Sequence, residues 1–242
     1  MEPLEILYED EHYIAINKPA GVLVHKTPLE RDPEALFAVQ LLRDQIGLKV
    51  NPLHRLDRPT SGILLFAKSS DATARLQPDF ATQDIQKYYL AVVRGYIPEP
   101  HGFIDSPLAK DLTQDLQPAK TEFWHLDQAE IPFASSPRYA SSRYSLVKIY
   151  PHTGRMHQIR RHFARFRHYV IGDTTHGDNK QNTFFRRHFR CDSLLLHAWS
   201  MSFYHPYQKS KVTVLATPPP YFRAVLVQLG WKIPEADTVP NT

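Results

Sequence analysis

One stretch, His54-Arg55-Leu56-Asp57-Arg58-Pro59-Thr60-Ser61-Gly62, combines the residue types best suited to chemistry. A single carboxylate, Asp57, stands between Arg55 and Arg58. Guanidinium charge on either side favours an ionised acid and attracts phosphate. Pro59 and Gly62 bend the chain, and Ile63 to Phe66 continue as an apolar run. The pattern predicts a loop that presents one acid at the edge of a rigid sheet. The plainer reading is a surface turn with a local ion pair, and other segments must decide between the two.

The second chemically rich segment is basic. Five arginines and three histidines fall between Arg155 and His168, and Arg186, Arg187 and Arg190 follow. Thr153-Gly154 leads into a predicted helix from Arg155 to Arg167. At about 100° per residue, Ile159, Phe163 and Phe166 share a face expected to be core, with Arg161 and Arg165 nearly opposite in solvent. Arg160 falls on the border. Such an arginine either snorkels to water or takes an acidic partner, because an unpaired buried charge is costly. Asp57 is the partner expected.

Other chemistries find little support. His152, His157 and His162 do not share a helical face, and there is no His-Glu-x-x-His, so no metal site is expected. No Gly-rich phosphate loop and no Ser-His-Asp arrangement can be argued from spacing. Tyr88 and Tyr89 point to opposite faces of the predicted strand 87–94, and a tyrosine facing a cleft could stack on a base.

The elements that position these groups follow from period and punctuation. Residues 5–8 and 12–17 read as a hairpin around Glu9-Asp10-Glu11, and Val22–His25 as a short extended piece. Asp32-Pro33 predicts a helix start, running to Ile46 with Gly47 as the stop. Strand 62–68 is followed by a helix capped at Ser70-Asp71 and divided at Pro78. The proline-rich 96–139 segment is expected to be surface loop, with one extended piece at 120–126. Further strands are predicted at 142–150, 194–203 and 211–216, a loop through 178–192, and a C-terminal helix at 219–229. Strands that follow one another directly argue for antiparallel pairing and an α+β class.

Composition bounds the rest. The chain has 242 residues, 42% of them hydrophobic, enough for a sizeable core. A single catalytic domain over 1–232 with a polar tail at 233–242 is expected. One cysteine, Cys191, excludes an internal disulfide. No signal-peptide pattern and no run of roughly 20 apolar residues is present, so a cytoplasmic, membrane-free protein is expected. The net charge of +4 is modest. Its interleaving with Tyr, Trp and Phe suits single-stranded or distorted RNA.

Taken together, these residues resemble a known family. His54-Arg55-Leu56-Asp57 with Thr60-Ser61-Gly62 is similar to the catalytic motif of pseudouridine synthases of the RluA type. Asn17-Lys18-Pro19, Gly21 and Val24-His25 resemble its first motif. Lys87, Tyr89, Ala91, Val93 and Gly95 resemble its K-x-Y-x-A-x-V-x-G strand. Thr153-Gly154-Arg155, His157-Gln158-Ile159-Arg160 and His162 resemble its T-G-R-x-H-Q-[IL]-R-x-H segment. Ile171-Gly172-Asp173, Leu196-His197-Ala198 and His205-Pro206 resemble its closing motifs. Asp44-Gln45-Ile46-Gly47, Arg58-Pro59 and His176-Gly177-Asp178 with Gln181-Asn182 are similar to members that isomerise uridine 65 of tRNA.

The resemblance implies a pseudouridine synthase fold: a central, mainly antiparallel sheet with flanking helices and loops and an RNA-binding cleft. It implies catalytic roles for Asp57, Tyr89 and Arg160, and RNA contacts from Arg55, Arg58, Arg161 and Arg165. Many relatives carry an N-terminal RNA-binding domain, whereas this chain begins directly with the catalytic region. An isomerisation needs no cofactor, metal or energy source. The expected partner is RNA, in particular tRNA, with no obligate protein partner and a monomeric chain. Ribosomal RNA as substrate, a catalytically silent RNA-binding protein and a histidine-based metal nuclease are the alternatives.

Overall fold

The structure, a computed structural model, describes residues 2–26, 32–82, 84–110, 115–135 and 139–234. In chain order its elements are β1 (Glu5–Glu9), β2 (Tyr13–Lys18), α1 (Ala38–Ile46), β3 (Asn51–Pro52), β4 (Ser61–Ala67), α2 (Ser70–Leu76) and α3 (Asp79–Thr82). They continue with β5 (Gln86–Arg94), β6 (His101–Asp105), β7 (Leu108–Ala109), β8 (Leu116–Gln117), β9 (Lys120–Ile131) and β10 (Ser142–Pro151). The last are α4 (Gln158–Arg165), α5 (Asn179–His188), β11 (Leu196–His205), β12 (Ser210–Leu215) and α6 (Pro220–Gln228). They group into two compact units, Met1–Lys87 with Ala198–Pro218, and Tyr88–His197 with Pro219–Thr242.

In the first unit the strand order is β1-β2-β4-β11, with β3 also on β4 and β12 on β11. The hairpin β1–β2 is antiparallel as expected, and β2 pairs antiparallel with β4 from Tyr13↔Ala67 to Lys18↔Gly62. All of β4 is buried, which explains its unbroken apolar sequence: both faces are covered. On one face Tyr13, Ala15, Ile63 and Leu65 pack with Ala72 and Leu76 of α2. Ser69 caps α2, accepting from the Ala72 amide, one residue earlier than predicted. Pro78 separates α2 from α3 as expected.

Helix α1 ends at Gly47, in the left-handed conformation, as predicted. It begins well after Asp32-Pro33, however. The Ala38 and Val39 amides are taken by the carbonyls of Leu23 and Val24, so the first-turn donors are capped by a distant segment. Asp32 instead accepts from the Glu34 amide and pairs with Arg58. The Val22–His25 piece forms an isolated bridge, Leu23↔Phe37, rather than a strand.

The second unit is built on the order β5-β10-β9-β6, all antiparallel. Helix α4 lays Ile159 and Phe163 against Ala91, Val93, Phe123, Val147 and Ile149. The 96–139 segment corrects the loop expectation: it holds β6, the small β7–β8 pair and the long β9. Pro98 and Pro100 precede β6, Pro107 follows it, and Pro118 and Pro132 flank β9. The prolines mark strand borders, where no ladder donor is lost. Residues 111–114 and 136–138 of that segment, and residues 235–242 of the tail predicted at 233–242, lie outside the described residues.

The 178–192 loop is likewise corrected, since α5 occupies most of it. Asp178 caps α5, accepting from the Lys180 amide, and Gln181 and Phe185 form its buried edge. Helix α4 is shorter than predicted at both ends. Gln158 Oε1 accepts from the Arg155 amide and the Thr153 hydroxyl, which holds 153–157 as a turn. Phe166 lies past the last helical residue and is 57% exposed rather than core. No described helix is long and apolar enough to cross a membrane.

Candidate active-site elements

The Asp57 loop belongs to the first unit and is pinned at both ends. At its far end Gly62 has φ +112, and a Cβ there would lie 2.2 Å from the Ala198 carbonyl oxygen. Only glycine permits that approach of β11 to the start of β4. At its near end the Leu65 amide donates to His54 Nε2 at 3.0 Å. Between them the Thr60 amide donates to the Asp57 carbonyl, and the Gly21 amide to the Arg58 carbonyl.

Lys18, at the end of β2, completes this element. Its side chain is fully buried, and Nζ donates to the carbonyls of Pro19 and Val22 at 2.8 Å and of Arg58 at 3.3 Å. Burial pushes its ammonium down to about 7, against the pull of the Asp57 carboxylate. One lysine thus ties the turn after β2 to the backbone beside the acid. In the sequence Lys18 is legible only as part of Asn17-Lys18-Pro19. Its only local signal was a charged residue closing an apolar strand.

Arg55 is exposed and Asp57 half-buried. Arg58 spends its guanidinium on the Gly21 carbonyl and on Asp32, at 3.0 and 2.9 Å. Sequence had placed it as a phosphate contact. Here it also holds the 57–58 backbone against the segment after β2.

The second unit carries Tyr89, Arg160, Arg161 and Arg165. Tyr89 lies on β5 opposite Ile149 and packs with the core beneath α4, on the face shared with Ala91 and Val93 as expected. Arg160 is 2% exposed, deeper than the helical wheel suggested. It makes a bidentate pair with Asp173, Nε to Oδ2 at 2.8 Å and an Nη to Oδ1 at 2.7 Å. Asp173, 1% exposed, also accepts from the Thr175 and His176 amides. Burial raises its carboxyl, but the Arg160 fork and the two amides outweigh it and hold the group below the usual range. Sequence reading missed this partner. The Ile171-Gly172-Asp173 motif was its signal, and no helical period could have linked it to Arg160.

Arg161 and Arg165 are not simply solvated. Arg161 donates to the Ala109 carbonyl at 3.0 Å, and Arg165 to the Ser106 hydroxyl, so both hold the β6–β7 connection. The histidines take separate partners. His152 bonds Glu122, His157 bonds His176, and His162 Nδ1 meets the Thr121 hydroxyl while its Nε2 faces the Ser106 carbonyl. Among the described residues no group of three or more His, Cys, Asp or Glu could hold a metal ion.

The comparisons define the class first. A family model described as RNA pseudouridylate synthase matches residues 12–165, more than half of the chain, so the chain belongs to that family. The human RNA Pseudouridylate Synthase Domain Containing 1 structure superposes with a TM-score of 0.70 at 26% identity, covering 91% of this chain and 87% of that one. Human RNA Pseudouridylate Synthase Domain Containing 4, at 20% identity, shares the fold with a TM-score of 0.73, covering 96% and 95%. The expected α+β pseudouridine synthase fold is thereby established.

Within the family, the chain is similar end to end to proteins named tRNA pseudouridine synthase C. It is 44% identical to that of Vibrio cholerae over 239 residues, 95% of this chain and 97% of the relative. It is 45% identical to that of Yersinia pestis, covering 94% and 91%. With that of Haemophilus influenzae it shares 45% identity over 95% and 99%.

Proposed function

We propose that this protein isomerises uridine to pseudouridine in tRNA, at uridine 65, with Asp57 as the catalytic residue. The observation that carries the reading is the Asp57 loop, pinned by Gly62, His54 and Lys18 within a chain of this family. The choice of tRNA rests on similarity over nearly the whole chain to the tRNA pseudouridine synthase C proteins.

In the reaction the C1′–N1 bond breaks, the uracil turns, and a C1′–C5 bond forms. The C5 proton leaves and N1 gains one, so the product is an isomer. Asp57 must arrive as a carboxylate, either to attack C1′ or to take a proton from the sugar. The role assigned to Tyr89 is to stack on the uracil and help remove the C5 proton. Arg160 supplies a permanent, buried positive charge, and such charge is most effective in water-poor surroundings. The target base must leave its helix at a cost of a few kcal/mol, and exposed Arg55 is suited to enter the vacated space. Arg58, Arg161 and Arg165 contact phosphates, which makes binding salt-sensitive.

Tritium release from a tRNA transcript carrying C5-labelled uridine tests this. The wild-type protein should release label at position 65, and Asp57→Ala should release none while tRNA binding persists. Turnover of Asp57→Ala near the wild-type rate would remove Asp57 from its role. Release from ribosomal RNA but not tRNA would overturn the substrate assignment.

A further inference from the structure

We propose that His54 is a positioning residue for Asp57: its neutral imidazole replaces the next backbone carbonyl of the β3–β4 ladder and so fixes where the Asp57 loop leaves the strand. The proposal rests on the functional reading above, and deepens it.

The edge of β4 away from β2 is the decisive one. β2 covers one edge from Gly62 to Ala67, so β3 and β11 share the other. β3 pairs there only at Asn51↔Ala67 and Pro52↔Phe66. The Leu53 amide then donates to the Leu65 carbonyl at 3.0 Å, and the backbone departs into the loop. The Leu65 amide on that same edge would be left without a partner in a residue that is fully buried, a costly omission. His54 Nε2 supplies the acceptor at 3.0 Å. The side chain, not the main chain, closes the last rung before the catalytic loop.

This role demands one protonation state. An acceptor at Nε2 places the proton on Nδ1, and an imidazolium has no acceptor at all. The surroundings favour the neutral ring. It stacks on Phe80, with centroids 5.1 Å apart and planes 18° from parallel, and the Lys87 ammonium stands 5.2 Å from that same Phe80 ring. His54 keeps some exposed surface, yet burial first and the Lys87 charge second drive it down to about 3, against a backbone hydrogen bond at Arg55 that pulls upward. Two residues separate His54 from Asp57, so a shift of the anchor is passed to the carboxylate. Displacements of about 1 Å at a reacting group can lower rates by about 100-fold.

Substituted side chains separate positioning from general support. Gln at 54 can place its amide oxygen where Nε2 lies, whereas the oxygen of Asn reaches only as far as Nδ1. His54→Gln should keep kcat within about 10-fold of wild type on the tRNA transcript. His54→Asn and His54→Leu should lose about 100-fold in kcat with KM and tRNA affinity little changed. Equal rates for Gln and Asn, or parallel loss of kcat, tRNA affinity and folded fraction, would overturn the proposal. Should Leu fail to fold, the Gln–Asn contrast decides. Imidazole 15N spectra of the wild-type protein give a readout independent of activity. They should show His54 as the Nδ1–H tautomer, untitrated between about pH 5 and 8. A titrating ring or the opposite tautomer would overturn the ladder role, whereas a wild-type protein that forms no pseudouridine would count against the functional reading alone.

Discussion

The two candidate elements hold their cations in opposite ways. In the first unit Lys18 is a buried ammonium surrounded by carbonyls, and burial brings its titration to about 7. In the second, Arg160 is a permanently charged fork locked bidentate onto a carboxylate that is 1% exposed. A lysine near neutrality organises backbone beside the acid without adding a fixed charge. An arginine cannot give up its proton, so its burial demands a matching anion. The difference teaches that Lys18 should respond to pH and tolerate replacement, whereas Arg160 and Asp173 stand or fall together.

The largest effect should come from breaking the fork. Asp173→Asn leaves a buried guanidinium short of a carboxylate and should destabilise by about 3–5 kcal/mol. The Asp173 carboxyl is held below its ordinary value, so its contribution is complete above an unfolded pKa of about 3.9 and is lost as pH falls through the folded one. The gap between wild type and Asp173→Asn in urea melts should therefore close in acid. A gap below about 1 kcal/mol at neutral pH would end the claimed contrast.

A smaller, pH-dependent effect is expected at Lys18. Its folded pKa, about 7, lies below the ordinary lysine value of 10.5. Between these values the unfolded chain binds the extra proton, so wild-type stability should rise with pH relative to Lys18→Met, by up to about 1.4 kcal/mol per pH unit. Denaturant midpoints of both proteins on either side of neutrality measure this. A constant difference would show that Lys18 keeps its charge. The smallest effect belongs to Arg58→Ala. Its pair with Asp32 is about two-fifths exposed on each side chain, so stability should change little. Because Arg58 also holds the Gly21 carbonyl, tRNA turnover should fall more than stability does.

Much of this molecule was legible in one dimension. β2, β4, β5 and β10 each carry their period or apolar run within a single stretch, and Gly47 and Pro78 act where they stand. Legibility failed where the deciding partner is remote. Helix α1 starts late because Leu23 and Val24 cap it, and Phe166 is exposed because α4 stops one residue before it. Helix α5 announced itself through Asp178, but its polar composition hid the Gln181–Phe185 edge. β6 escaped notice because prolines on its borders read as loop.

Sequence by itself determined the family and the strands around the Asp57 loop, since motif order and two-residue alternation are properties of the chain alone. Tertiary structure decided the partners: three carbonyls for Lys18, Asp173 for Arg160 and the Leu65 amide for His54. The physical reason is that periodicity reports only which face of an element is dry. A buried polar group must still find its complement, and in these three cases most of the complements come from other segments of the chain.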